Sequence, residues 1–218
     1  MYTGSRVTNE SGLGKRLLRR TLQWAHGLFA AAAILLLGYC VFVLADTWEF
    51  QRRESRIFRQ LLDNGHAPSG RSRQLVPATW AALPPALPAT GLIGRIEIPR
   101  LKLSALVIEG DDSRTLRRAV GHIAGSPLPG QQGNVALTGH RDTFFRPLRN
   151  IRREDTIIVT TLHGEFRYRV VSTKVVSPND VAVLDPSVNE ILTLVTCYPF
   201  YFVGAAPNRF IVLAERII

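Results

Sequence analysis

Hydrophobic patterning divides the chain into three regimes. From Thr21 to Ala45 there is no Asp, Glu, Lys or Arg. About 25 apolar residues at ~1.5 Å each outreach a ~30 Å hydrocarbon core, so this run predicts a transmembrane helix. Asp46 to Leu62 then sets Trp48, Phe50, Ile57, Phe58, Leu61 and Leu62 among Arg and Glu at roughly helical spacing, with Asn64-Gly65 as a C-cap. This predicts a helical stalk continuing outward over 46–65. Residues 66–90 hold Pro68, Pro77, Pro84, Pro85 and Pro88 among Ala, Ser and Gly, the composition of a partly extended linker.

From Gly91 the period changes to that of β structure. Ile93 to Ile98 alternates and stops at Pro99, and Leu103 to Glu109 is closed by Gly110. Asp111-Asp112-Ser113 caps a short helix through Ala119. Gly121 to Gly133 reads as loop, Asn134 to Thr138 as a strand, and Phe144 to Ile151 as a turn or short helix interrupted by Pro147. Thr156 to Thr161 and Phe166 to Val176 form a hairpin around His163-Gly164-Glu165. Ile191 to Thr196 and Phe210 to Arg216 supply the last strands. About eight short strands with short helices predict a closed or sandwiched β domain.

Composition adds limits. The 218 residues are 46% hydrophobic and 20% charged, which favours a folded core over disorder. The formal charge of +10 is scattered and lacks zinc spacing or an RNA-binding signature, so nucleic acid is not the expected partner. A basic surface facing a membrane or an anionic envelope polymer fits better. The polar segment 1–20 ends in Lys15-Arg16-Leu17-Leu18-Arg19-Arg20. Five Lys/Arg precede the apolar span and four closely follow it, a small positive-inside bias toward a cytoplasmic N-terminus. Val43-Leu44-Ala45 faintly resembles a signal-peptidase site and Leu37 to Cys40 a lipoprotein site. The apolar run exceeds the ~7–15 residues of a cleaved signal, which favours an uncleaved signal anchor.

Of two cysteines, Cys40 lies in the apolar span and Cys197 far downstream, so a disulfide is not expected. Cys197 ends the run Thr193-Leu194-Val195-Thr196-Cys197, with Pro199 stopping it. A lone thiol in a domain outside the cytoplasm invites a functional explanation. A thiol nucleophile needs a base, a donor for a developing oxyanion, and access. Among five histidines, His26 is at the membrane span, His66 in the linker and His163 in a turn. His140 follows an apolar strand, a rim position like that of Cys197, and precedes Arg141-Asp142. His122 fits a role in ordering its loop. Arg209 begins the final strand, twelve residues after Cys197, which lets the chain turn back and bring its guanidinium beside the thiol. Singly, each has an ordinary explanation: a small buried hydrophobe, a loop histidine, a solvated strand-end charge. An L,D-transpeptidase would want Ser-His-Gly-x-Cys, which is absent. Another envelope cysteine peptidase and a non-enzymatic β-barrel binding module with an inert thiol remain open.

Thr193-Leu194-Val195-Thr196-Cys197 resembles the Thr-Leu-x-Thr-Cys signature of the sortases. Ala136 to Asp142 resembles the segment that carries the family's histidine, and Arg209-Phe210-Ile211-Val212 its arginine strand. Gly121-His122-Ile123, Pro129-Gly130, Gly133 to Ala136 and Ile98-Pro99 add to the likeness. Cys197 to Phe200 and Phe202 to Pro207 are most similar to class D-type members. The likeness covers about 91–218. It implies an eight-stranded sortase-type β-barrel with short helices, preceded by the N-terminal transmembrane helix, and a catalytic set of Cys197, His140 and Arg209. Thr196, His122, Asp142 and Tyr198 are expected as substrate-binding or supporting residues. Cys197 would attack the Thr carbonyl of a Leu-Pro-x-Thr-(Gly/Ala)-like signal on a protein substrate. The acyl group would pass to an amine, a cell-wall peptide or a pilin lysine. The chemistry calls for no metal or other cofactor; Asp111 and Asp112 are a weak calcium signal. Leu87-Pro88-Ala89-Thr90-Gly91 itself reads as a sorting signal, although a Pro/Ala linker produces such strings by composition.

Overall fold

A computed structural model describes residues 10–65 and 91–217. The linker prediction for 66–90 falls outside the described residues, as does the sorting-signal-like string except for its Gly91.

The chain divides into two compact units, Met1–Trp48 and Glu49–Ile218. Helix α1 spans Glu10–Gly65. In the first unit its apolar side chains, including Trp24, Phe29, Leu36 and Phe42, are exposed. The helix is long and apolar enough over Leu22–Asp63 to cross a membrane, with a mean hydropathy of 2.6 at its most apolar.

In the second unit, the end of α1 is no free-standing stalk. Phe58 is 2% exposed and packs with Leu92, Leu106, Ile108 and Ala119, flanked by Phe50 and Leu62. Burying such a ring contributes about 1.5–3 kcal/mol. Gln51 adds a two-way anchor. Its Nε2 donates to the Arg118 carbonyl at 2.5 Å, and its Oε1 accepts from the Leu106 amide at 3.3 Å. Ile57 and Leu61 face away and stay exposed, so only one of the two apolar edges of this helix is used.

The remainder is a closed barrel of eight strands: β1 Leu92–Ile98, β2 Leu103–Glu109, β3 Val120–His122, β4 Asn134–Thr138, β5 Thr156–Thr161, β6 Gly164–Val176, β7 Ile191–Tyr198 and β8 Asn208–Ile217. Around the wall the order is β1-β2-β3-β4-β7-β8-β6-β5. Closure leaves no unpaired edge. Alternation sends Ile96, Val107, Val135, Leu137, Leu192, Leu194 and Val212 inward as the core. Helix α2, Ser113–Arg118, is capped by Asp112, which accepts from the Arg114 and Thr115 amides and the Thr115 hydroxyl. These bonds hold the Asp112 carboxyl below the ordinary carboxylate range, the Thr115 hydroxyl most of all. Helix capping thus occupies both oxygens of this carboxylate. One prediction is corrected: the stretch read as loop from Gly121 begins inside β3.

A buried carboxylate ties together two 3-10 turns, Pro99–Leu101 and Arg146–Asn150. Arg100 Nε and Nη2 donate to the two oxygens of Asp155, and Nη2 also donates to the Asn150 carbonyl at 2.6 Å. The Arg152 amide donates to Asp155 at 2.8 Å. The Arg100 hydrogen bond holds the Asp155 carboxyl below its usual range, against the opposing effect of burial. A depressed carboxyl stabilises the fold above the unfolded-state pKa and loses that contribution as pH falls through the folded-state value. Asp155→Asn is therefore expected to cost about 2 kcal/mol at neutral pH, below the buried-pair range because Arg100 is 42% exposed. Urea melts of both proteins should converge as pH is lowered from neutral through the acid range in which Asp155 takes up its proton. A constant gap would show that the charge is not what matters.

Candidate active site

Three of the residues singled out in the sequence converge through strand register. β7 and β8 are antiparallel, and Cys197 pairs directly with Arg209. Directly opposed residues share a face and have Cα atoms about 4.5–5.5 Å apart. β4 and β7 are parallel, with Thr138 opposite Val195. The Gly139 amide still donates to the Val195 carbonyl at 3.2 Å, so pairing persists past the end of β4. His140 follows Gly139 directly, so it leaves the wall beside β7, on the side of that strand away from Arg209.

Alternation decides which side of the wall they occupy. Leu192 and Leu194 face the core, so Thr193, Val195 and Cys197 face outward. Val135 and Leu137 face the core, which turns Ala136 and Thr138 outward. Val212 and Ala214 do the same for Ile211 and Arg209. Cys197 and Arg209 therefore share one outer face, His140 stands in the turn that leaves β4, and all three are half-buried. Cys40 and Cys197 are both free.

The His140 turn is held from beneath. Thr196 is 2% exposed, and its hydroxyl donates to the Gly139 carbonyl at 2.7 Å. The His140 carbonyl accepts from the Thr143 and Phe145 amides at 3.4 and 3.2 Å. Phe145 is fully buried, and a Cβ on Gly139 would meet its ring at 2.9 Å. Glycine at 139 lets the ring close under the turn. Arg209 Nη1 donates to the Ala206 and Asn208 carbonyls at 3.4 and 3.1 Å. Among the described residues its Nε and Nη2 make no hydrogen bond, which leaves donors for a ligand oxygen.

The other predicted residues are placed differently. Tyr198 lies on the face opposite Cys197, stacked on Phe210 at 6.2 Å and edge-on to Phe200 at 6.0 Å. Asp142 is exposed on the turn. His122 pairs with Leu137, which lies opposite Leu194, further back along the wall than the Cys197–Arg209 pair. It is 2% exposed, bonded through Nδ1 to Glu109 at 2.8 Å and through Nε2 to Ser126 and the Pro127 carbonyl at 2.9 and 3.1 Å. Both ring nitrogens are engaged, Nδ1 with the end of β2 and Nε2 with the loop after β3.

Sequence reasoning missed two contributors. Asn134 Nδ2 donates to the Val183 and Asp185 carbonyls, and its Oδ1 accepts from the buried Thr193 hydroxyl at 2.7 Å. That pins the β6–β7 connection over the outer face. Arg141 was passed over for its neighbour Asp142. It donates to two carbonyls of the β7–β8 loop, some 60 residues downstream, and no local spacing signals that contact.

Comparisons with known proteins converge on one family. A family model described as a Sortase domain matches residues 96–217. Sortase D of Bacillus subtilis (strain 168) is 33% identical over 189 residues, 86% of this chain and 94% of that protein. Sortase SrtE1 of Streptomyces coelicolor is 34% identical over 123 residues, 48% of this chain and 35% of its own length. Among solved structures, a Clostridium perfringens Sortase D5 transpeptidase aligns with a TM-score of 0.53 and 30% identity, covering 58% of this chain and 79% of that one. Sortase C-1 from Actinomyces oris aligns with a TM-score of 0.54 and 32% identity, covering 59% and 75%.

Proposed function

The chain belongs to the sortase family of cysteine transpeptidases, and on that premise we propose that Cys197, His140 and Arg209 are its catalytic residues. Sortases act on a protein bearing a sorting signal and join it to an amine. The observation that carries the assignment is the pairing of Cys197 with Arg209, with His140 two residues past the end of β4, the strand on the other side of β7.

In this reading Cys197 Sγ attacks the Thr carbonyl carbon of a Leu-Pro-x-Thr-(Gly/Ala)-like signal. A C–S bond forms, and the carbonyl electron pair moves onto oxygen. Arg209 donates to that oxygen from the guanidinium edge not occupied by the loop carbonyls. The thiol proton passes by way of His140 to the departing amine as the C–N bond breaks, leaving a thioester on Cys197. An incoming amine then attacks the thioester carbon and gives up a proton to His140. The C–S bond breaks, the new amide forms, and the thiol is restored. Water in place of the amine gives hydrolysis. The acceptor is a cell-wall peptide amine or a pilin lysine.

The apolar helix and the family's membrane association support a membrane anchor over 21–45. We assign 1–20 to the cytoplasm, 46–65 to a juxtamembrane helix, 66–90 to a linker and 91–218 to an extracytoplasmic catalytic domain. A fluorogenic Leu-Pro-x-Thr-Gly or -Ala peptide, with and without an added amine, tests the activity of the full chain in detergent micelles. Intact mass of a rapid quench should show one acyl adduct, mapped to Cys197. Full turnover in Cys197→Ala, His140→Ala and Arg209→Ala alike would refute the assignment.

A further inference from the structure

Cys197 and Arg209 are joined by the loop over 199–207. Their spacing therefore depends on a segment with little packing of its own: Tyr201, Phe202 and Val203 are 75%, 46% and 94% exposed. Such a loop would ordinarily be mobile. Here it is held by arginines. Arg141 Nη2 donates to the Phe202 and Gly204 carbonyls at 2.7 and 2.8 Å, and its guanidinium lies 5.9 Å from the Phe202 ring centroid. Arg149 stacks on Tyr201 at 5.5 Å. Arg209 takes the Ala206 and Asn208 carbonyls at the other end. Two guanidiniums thus grip three carbonyls of one short loop, and a fourth at the first residue of β8. One of the two follows His140 directly in sequence, and the other pairs with Cys197.

We propose that Arg141 is a positioning residue that splints the β7–β8 loop to the His140 turn, and that it sets how tightly the acyl-donor peptide binds. The proposal rests on the transpeptidase reading of the site. Arg141 closes a ring from His140, through the loop, to both Cys197 and Arg209, so one side chain references all three groups to one another. A lysine cannot substitute. Its ammonium is a point charge, whereas the planar fork holds two carbonyls and the ring face together. One further arm is uncommitted. Arg141 Nη1 is buried and has no hydrogen-bond partner among the described residues. A buried charged donor without an acceptor is costly, so Arg141 keeps this place against a local penalty, and its influence on the peptide passes through the loop it holds. The effect therefore falls on KM more than on kcat.

The test compares wild type, Arg141→Lys and Arg141→Ala as full chains in micelles. Without peptide, amide hydrogen exchange over 200–206 should rise at least about fivefold in both variants, while core strands β4 and β7 keep their protection. With peptide, KM should rise about tenfold and kcat stay within about threefold, the size expected for charged hydrogen bonds partly screened by water. Guanidinium ion at low concentration should lower the KM of Arg141→Ala, and urea at the same concentration should not. Unchanged loop exchange, unchanged KM, or equal rescue by urea overturns the proposal. A general loss of exchange protection throughout the barrel also overturns it, since Arg141 would then support the fold and not the loop. If wild type turns over no Leu-Pro-x-Thr peptide, the functional reading fails, while the exchange experiment still decides whether Arg141 holds the loop.

Discussion

Cys197→Ala is expected to lower kcat/KM for a sorting-signal peptide at least about 10⁴-fold and to abolish the acyl adduct. The magnitude follows from what remains. Without sulfur, the donors of Arg209 and the surrounding wall face still bind peptide, but no covalent intermediate divides the reaction into two easier steps. Peptide binding should therefore persist, with a dissociation constant within about threefold of wild type, because a thiol-to-methyl change removes one small polar atom. Cys40→Ala supplies the control. It removes the other free cysteine, which lies in the apolar part of α1, and should leave turnover unchanged. Residual activity above about 1% in Cys197→Ala would mean that the nucleophile lies elsewhere.

The legibility of this molecule divides along the range of the forces involved. β2 and β4 are found at their predicted bounds, because alternating or β-branched runs closed by glycine report local burial directly. β3 is three residues long with a glycine at its centre, so it has no period to read. It exists because Val107 to Glu109 pair with it on one side and Leu137 and Thr138 on the other. β8 starts at Asn208, so Arg209, expected to begin the final strand, is a ladder residue opposite Cys197. The nucleophile strand likewise continues through Cys197 to Tyr198, so the thiol is a wall residue and not a strand terminus. In α1, Phe50, Phe58 and Leu62 recur on one helical face, yet only the barrel reveals that this face is used and that of Ile57 and Leu61 is not. The contact of Arg141 with the carbonyls of Phe202 and Gly204 lies beyond any such reading, since backbone acceptors leave no mark in a side-chain pattern.

Arg209 is the position where charge and geometry separate most sharply. Its Nη1 is committed to the Ala206 and Asn208 carbonyls, and Cys197 is its direct cross-strand partner. A guanidinium can hold the loop with one nitrogen while presenting the others to an oxyanion, because its donors are fixed in one plane. Lysine keeps the positive charge but must choose between the two tasks. Arg209→Ala is expected to lower kcat/KM about 10³-fold and Arg209→Lys about 10²-fold, with most of each loss in kcat, since the oxyanion exists only in the transition state. Loss of a loop contact alone would raise KM instead. Alkylation of Cys197 by iodoacetamide, which develops no oxyanion, should slow less than tenfold in either variant. A lysine variant within threefold of wild type would show that charge suffices and that the fork has no role. A loss confined to KM would move Arg209 from the reacting oxygen to the peptide backbone.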